Sequence, residues 1–142
     1  MGSIKNILTI IKTPNGNIFG GYDELGFGSN LQTVSDTNAF IFSLINKENK
    51  PFKAKRTYNS GGYKLGPIFG SAIRGPILGY NDKYDINITS LSNEYSSSSA
   101  NFGYSFNHSD YKQGTERART ILAGSLNFKT LEIEVFWKLE KT

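Results

Sequence analysis

Near its C-terminus the chain contains two segments, ILAGSLNF at residues 121–128 and LEIEVFW at residues 131–137. The second of these decides the predicted fold class. Its apolar and polar side chains alternate at period two, which is typical of a β-strand with one buried face. One face carries Leu131, Ile133, Val135 and Trp137, and the other carries Glu132, Glu134 and Phe136. We therefore predict a half-buried strand whose aliphatic row faces the core and whose glutamates face water, with pairing to donors on a neighbouring element as the alternative.

A second strand pair is indicated near the start of the chain. Residues 7–12 and 17–22 are both rich in apolar and β-branched side chains. Between them Pro14 restricts φ at the first corner, Asn15 tolerates the second, and Gly16 accepts a left-handed conformation. The pattern predicts an antiparallel hairpin.

The middle of the chain predicts further strands. Residues 39–45 are almost continuously apolar, which is expected of a central strand covered on both faces. Residues 52–58 alternate and place Lys53 and Lys55 on one face. We interpret these lysines as a solvated sheet face, with a basic docking patch as the alternative.

Two later segments complete the predicted architecture. Residues 84–89 predict a strand with Ile86 and Ile88 on its buried side, and the polar residues 90–100 predict a loop. Thr115, followed by an acidic residue, suits the N-terminus of a short helix. The predicted fold is a mostly β protein, a two-sheet antiparallel β-sandwich with one or two short helices.

Composition narrows the function classes. The chain has 142 residues, enough for one hydrophobic core, and its 10 Phe and 8 Tyr supply large buried areas. It has no cysteine, which excludes disulfides, thiolate metal sites and thiol peroxide chemistry. The net charge of +4 is spread along the chain, and no ribonucleoprotein-type motif is present, so no specific nucleic-acid partner is predicted.

No segment reaches the roughly 18 apolar residues of a membrane span, and the N-terminus lacks a signal-peptide cleavage pattern. These features predict a soluble cytoplasmic protein.

No residue set in the sequence predicts catalysis. His108 is the only histidine, and it is followed directly by Ser109 and Asp110, which cannot converge on it as a triad within one extended segment. Asp82 and Asp85 lack the ligand spacing of a calcium loop. We expect neither an enzyme, nor a metal site, nor a cofactor.

Several blocks together resemble the TLDc domain family, whose members include oxidation-resistance proteins. They occur in the family's order and span nearly the whole chain: residues 8–13, 16–22, 39–44, 66–70, 85–88, 122–128 and 132–136. The resemblance implies a single TLDc-like β-sandwich domain over residues 1–142.

The resemblance also implies a function and a set of residues. Relatives protect cells against oxidative damage, and several bind peripheral subunits of the vacuolar proton-pumping ATPase. A non-catalytic protective or regulatory module that binds a protein partner is therefore expected. The family's recurrent acidic positions fall on Glu116, Glu132 and Glu134, which we expect to contact that partner. Its glycines fall on Gly20, Gly21, Gly66, Gly70 and Gly124.

The chain departs from the family pattern at two places. Residues 71–82, which contain a second Gly-Pro corner, interrupt the usual passage to the next strand, and we expect them to form a protruding loop. TLDc domains also begin with a helical segment further upstream. The chain is therefore expected to be either a minimal natural form or a fragment of a larger protein.

A sugar-binding function is the alternative. Loops rich in tyrosine and asparagine on an all-β scaffold could stack on sugar rings and hold hydroxyl groups. The candidate sugar contacts are Tyr80, Asn81, Asp82, Tyr84, Tyr95, Asn101 and Tyr104.

Overall fold

A computed structural model describes residues 4–24, 33–34, 38–56, 62–63, 68–69, 85–89, 91–103 and 106–139. Within these ranges the strands are β1 (Ile4–Lys12), β2 (Ile18–Asp23), β3 (Thr33–Val34), β4 (Phe40–Ile45), β5 (Phe52–Arg56), β6 (Gly62–Tyr63), β7 (Ile68–Phe69), β8 (Ile86–Asn87), β9 (Ser98–Ala100), β10 (Phe106–Asn107), β11 (Asn127–Phe128) and β12 (Glu132–Leu139). The helix α1 covers Glu116–Thr120.

The strands form two main antiparallel sheets. The larger has the order β10-β5-β4-β2-β1-β12, and the smaller has the order β11-β9-β8-β7. A two-stranded ribbon pairs β3 with β6. The predicted mostly β, two-sheet antiparallel architecture with a short helix is confirmed.

The core lies between the inner faces of the two sheets. Phe19 on β2 meets Phe128 on β11 edge to face, with ring centroids 5.4 Å apart. A second aromatic group forms where Phe52 contacts Phe102 and Tyr111, at 5.6 Å and 4.8 Å between centroids. These rings and the aliphatic residues around them belong to one buried cluster, so the sheets and α1 share a single core.

The hairpin between β1 and β2 forms as predicted. The Thr13 N–H donates to the Asn17 carbonyl at 3.0 Å, and the Gly16 N–H donates to the Thr13 carbonyl at 3.0 Å. Gly16 has a φ of +93°, the left-handed conformation that the turn requires.

The segment after α1 is tied to that hairpin. The helix begins at Thr115, whose hydroxyl accepts from the Ala118 N–H, as the sequence predicted. The next three residues, 121–123, are buried. Their carbonyls need donors, and the hairpin supplies donors for two of them. Asn17 Nδ2 donates to the Leu122 carbonyl at 3.1 Å, and Asn15 Nδ2 donates to the Ala123 carbonyl at 3.2 Å.

Two predictions of burial are wrong. In and beside β12, Leu131, Val135 and Trp137 are exposed, because β12 is the last strand of the large sheet and lies at the margin of the buried cluster, which only Ile133 of this strand reaches in the described structure. The central strand β4 is covered over most of its length, but Leu44 and Ile45 at its C-terminal end are exposed.

Of the two predicted loops, one lies almost entirely within the described residues and the other lies outside them. The predicted polar loop at residues 90–100 ends in a strand, β9, which pairs with β8 and β11. The predicted protruding loop at residues 71–82 lies outside the described residues, as do Gly66 and Gly70.

The middle of β2 shows why Gly20 must lack a side chain. A Cβ at this position would overlap the carbonyl oxygen of Thr9 on β1 and lie 2.9 Å from Cζ of Phe42 on β4. Phe42 is directly opposite Gly20 in the register, and its ring occupies the space above the glycine. The neighbouring strands therefore approach the backbone closely at Gly20.

Replacing Gly20 by alanine is expected to destabilise the fold by about 3 kcal/mol, since both obstacles belong to packed strands that cannot move independently. A matched control is Gly114→Ala, which has open space around the new methyl group and carries only the cost of its φ of +86°, about 1–2 kcal/mol. Urea unfolding of both variants measures the difference. Equal stability losses would show that the sheet relaxes around residue 20.

Candidate functional site

The exposed edge of β12 is the most unusual surface among the described residues. Four large apolar side chains in and beside this strand are solvent-exposed: Leu131 (60%), Val135 (40%), Phe136 (52%) and Trp137 (56%). The strand is hydrogen-bonded to β1 and to no other described strand. Clusters of this kind on a protein surface mark interaction sites more often than scattered apolar residues do.

The register with β1 defines the two faces of this edge. Ile133 lies opposite Ile11 and packs against the core, which places Val135 and Trp137 on the same, inner side of the sheet. Glu134 lies opposite Ile10, and Glu132 lies opposite Lys12, so both glutamates are on the outer side. The alternation predicted for this strand is therefore correct, although on its apolar face only Ile133 is partly buried.

Glu132 and Glu134 are exposed, as predicted for the polar face of the strand. Within the part of the chain that the structure describes, neither carboxylate takes part in an ion pair. Two carboxylates on successive outward positions of one strand, next to Phe136 on the same face, can accept charge-assisted hydrogen bonds from a basic ligand.

The outer face of the large sheet also carries a lysine packed on aromatic rings. On the side away from β12, Lys53 places its Nζ 4.0 Å from the centre of the Phe40 ring. That ring stacks on Tyr22 at 5.1 Å between centroids. Lys53 and these rings lie on one flank of the outer face, and Glu132 and Glu134 lie on the other flank, together with Lys12 and Lys138.

Glu116 belongs to a different part of the surface. It lies in the first turn of α1, and that helix contacts the turn between β4 and β5 through a Lys47–Thr120 hydrogen bond and an Arg117–Glu48 ion pair. In the sheet order, β4 and β12 are separated by β2 and β1. The structure brings Glu132 and Glu134 together, but it places Glu116 on another element.

Two of the predicted glycines have clear steric roles. A Cβ at Gly20 would meet the Thr9 carbonyl oxygen and the Phe42 ring. Gly124 has a φ of +90°, and a Cβ there would lie 2.6 Å from Asn15 Nδ2, so a side chain would disturb the anchor of the hairpin. Gly21 is buried in β2.

The sugar-contact candidates are only partly described. Tyr80, Asn81, Asp82, Tyr84 and Tyr104 lie outside the described residues. Tyr95 is 60% exposed, whereas Asn101 is buried and does not present its amide at the surface.

A shallow cavity that the sequence did not predict lies beside the hairpin. Its volume is about 230 Å³, and polar side chains from three segments line it, including Asn15, Ser96, Ser125, Asn127 and Lys129. The three segments are far apart in the sequence and share no motif, so only the folded chain reveals that they are neighbours.

His108 has a structural environment. Its Nδ1 accepts from the Asp110 N–H at 3.2 Å, and its ring lies against Phe52 and Tyr111, at 5.1 Å and 5.3 Å between centroids. In the described ranges, no group of three or more His, Cys, Asp or Glu side chains is arranged to hold a metal ion.

Ion pairs beside His108 shift several pKa values. Arg117 donates two hydrogen bonds to the Glu48 carboxylate, at 2.9 Å and 2.5 Å, and thereby lowers its pKa. A hydrogen bond from Lys50 at 2.6 Å lowers the pKa of Asp110. Burial raises the pKa of Tyr111. These charges satisfy one another, unlike those of Glu132 and Glu134.

The chain was compared with models of known protein families. The TLDc domain model matches residues 1–139. The chain belongs to the TLDc domain family. TLDc domains are generally non-catalytic interaction domains, and membership supports a protective or regulatory role in general.

Two other comparisons gave no match, either among curated proteins or among solved structures. No helix in the described ranges has the length and apolarity needed to cross a membrane.

The Arg117–Glu48 pair predicts a pH-dependent effect on stability. Because folding lowers the pKa of Glu48, its contribution is present above the ordinary carboxyl value of 4.5 and is lost as the pH falls through the folded value. Glu48→Gln should therefore lower the free energy of unfolding at pH 7 by at most about 1 kcal/mol, since the pair is partly exposed.

Urea unfolding at pH 7 and at pH 3 tests this expectation, with the exposed Glu94→Gln as the control. The gap between wild type and Glu48→Gln should shrink at pH 3. A gap that stays the same at both pH values would show that packing, not charge, is responsible.

Proposed function

We propose that this TLDc domain is a non-catalytic protective or regulatory module that docks a protein partner through the β12 edge. One observation carries the proposal: two exposed carboxylates without ion pairs in the described structure, Glu132 and Glu134, stand on an edge strand beside exposed Val135, Phe136 and Trp137. Burial of the apolar side chains supplies binding free energy, and the two carboxylates supply orientation and specificity.

The charge of this edge indicates the chemistry of the partner. Two carboxylates on one side of the strand match a surface that presents Lys or Arg next to apolar side chains. Peripheral subunits of the vacuolar proton-pumping ATPase are the proposed partners, because the family to which the chain belongs includes proteins that bind them. Oxidative-stress protection would then follow from binding and not from chemistry within the domain.

The absence of a cysteine supports a binding role over direct peroxide reduction, since no thiolate is available to attack a peroxide. The environment of the single histidine supports it as well. His108 accepts a backbone hydrogen bond and packs between aromatic rings, which leaves its Nδ1 already engaged.

The test compares wild type with the double variant Glu132→Gln, Glu134→Gln for binding to purified peripheral ATPase subunits. Removing both charges should weaken binding at least about tenfold, equivalent to about 1.4 kcal/mol. Glu94→Gln, an exposed carboxylate on a loop, is the matched control and should bind like wild type. Glu116→Gln, measured in parallel, tests whether the third family position belongs to the same contact.

Two outcomes would contradict the proposal. Unchanged binding by the double variant would remove the β12 glutamates from the interface. Binding to an immobilised glycan array that survives the double variant would instead support the sugar-binding alternative, in which contacts run through loop residues such as Tyr95.

A further inference from the structure

Strand β12 is chemically self-complementary about Val135. Counting outward from this residue, Glu134 corresponds to Phe136, Ile133 to Trp137, and Glu132 to Lys138. The two ends of the strand therefore carry opposite charges, and the positions next to them carry apolar side chains.

We propose that β12 pairs antiparallel with β12 of a second copy of this chain, centred on Val135, so that the two large sheets join into one. This inference goes beyond the proposed function and does not depend on it, because it concerns the chain alone. The occupant of the edge is a second copy because the strand's own charge pattern supplies both partners of each ion pair.

The edge has the features that such pairing needs. It is eight residues long, contains neither proline nor glycine, and has its side away from β1 unoccupied by any described strand. Backbone groups along such an edge can hydrogen-bond to an added strand. The opposite edge of the sheet is β10, which has two residues and offers much less backbone.

The pairing register follows from the two faces of the strand. A two-fold axis perpendicular to the sheet keeps inner faces on one side, so only residues of the same face can lie opposite each other. Centring the pair on Val135 satisfies this condition. It places Glu132 opposite the second copy's Lys138 on the outer face, and Ile133 opposite its Trp137 on the inner face.

The two-fold axis repeats every contact that lies away from it. Two Glu132–Lys138 pairs form, one at each end, and Val135 meets its own copy at the centre. The exposed Val135 and Trp137 side chains, at 40% and 56%, gain apolar neighbours. A register centred on Phe136 would pair Glu134 with Lys138 and leave Glu132 without a counterpart inside the strand, so the Val135 register uses the charges of β12 more completely.

Self-association would also affect partner binding. Glu132 is engaged in both complexes, so a dimer would cover part of the proposed docking edge. Dilution of the protein would then favour partner binding, and high local concentration would oppose it.

Exchanging the charges at positions 132 and 138 tests whether the two strands pair in this register. Lys138→Glu and Glu132→Lys each turn two attractive pairs into two repulsive ones, and each should raise the dimer dissociation constant at least about tenfold. The variant carrying both changes restores opposite charges across the axis and should return to within about threefold of wild type. Glu134→Lys combined with Lys138→Glu is the matched control and should not be rescued.

Sedimentation equilibrium at a series of protein concentrations measures the dissociation constants. Trp137, the only tryptophan, provides a second signal, and its emission should shift to shorter wavelength as concentration rises. All substituted side chains are exposed, and circular dichroism verifies that each variant folds.

Three results would overturn the proposal. A wild-type protein that stays monomeric at several hundred micromolar has no such interface. A double exchange at positions 132 and 138 that stays as weak as the single variants excludes the register. Rescue by Glu134→Lys in place of Glu132→Lys would assign the register centred on Phe136.

Discussion

The buried carbonyls that follow α1 constrain the whole arrangement. A helix that ends inside a protein leaves acceptors that must be satisfied, and here residues 121–123 lie in the core. Asn15 and Asn17 at the β1–β2 hairpin donate to two of those carbonyls. Because the same hairpin places Phe19 against Phe128, the polar anchor and the contact between the sheets are formed by one element.

Charges in this domain fall into two groups with different consequences. Glu48 and Asp110 each have a basic partner, and their lowered pKa values reflect this pairing. Glu132 and Glu134 have no ion-pair partner in the described ranges and stand on a strand whose neighbour lies on one side only. The first group holds α1 and the segment before it against the β4–β5 turn. The second remains available for recognition.

The hairpin and the start of the helix could be predicted from the sequence because each depends on residues that are close together in the chain. The hairpin at Asn15-Gly16 and the cap at Thr115 follow from backbone preferences and side-chain hydrogen bonding within a few residues. The alternation of β12 also predicted its faces correctly. Burial was different, because the exposure of Val135 and Trp137 depends on how far the core extends over the inner face of β12, and alternation carries no information about that.

Short strands were missed for a related reason. Strands β9, β10 and β11 have two or three residues, too few to show a periodic pattern, and they form because partner strands already stand next to them. For the candidate site, the sequence indicated Glu132 and Glu134 and their solvent exposure. It could not indicate that Glu116 lies on another element, since that separation results from the tertiary packing of α1.

The hydrogen bond at the hairpin tip also depends on an asparagine that can deamidate slowly with time. Asn15 is exposed and is followed by Gly16, and a glycine without a Cβ lets the next backbone nitrogen attack the side-chain amide with little hindrance. Deamidation would replace the donor at the Ala123 carbonyl with a carboxylate, which can only accept and therefore repels that oxygen. Ageing of the protein at this one position would thus loosen the hairpin from the chain segment that closes the core.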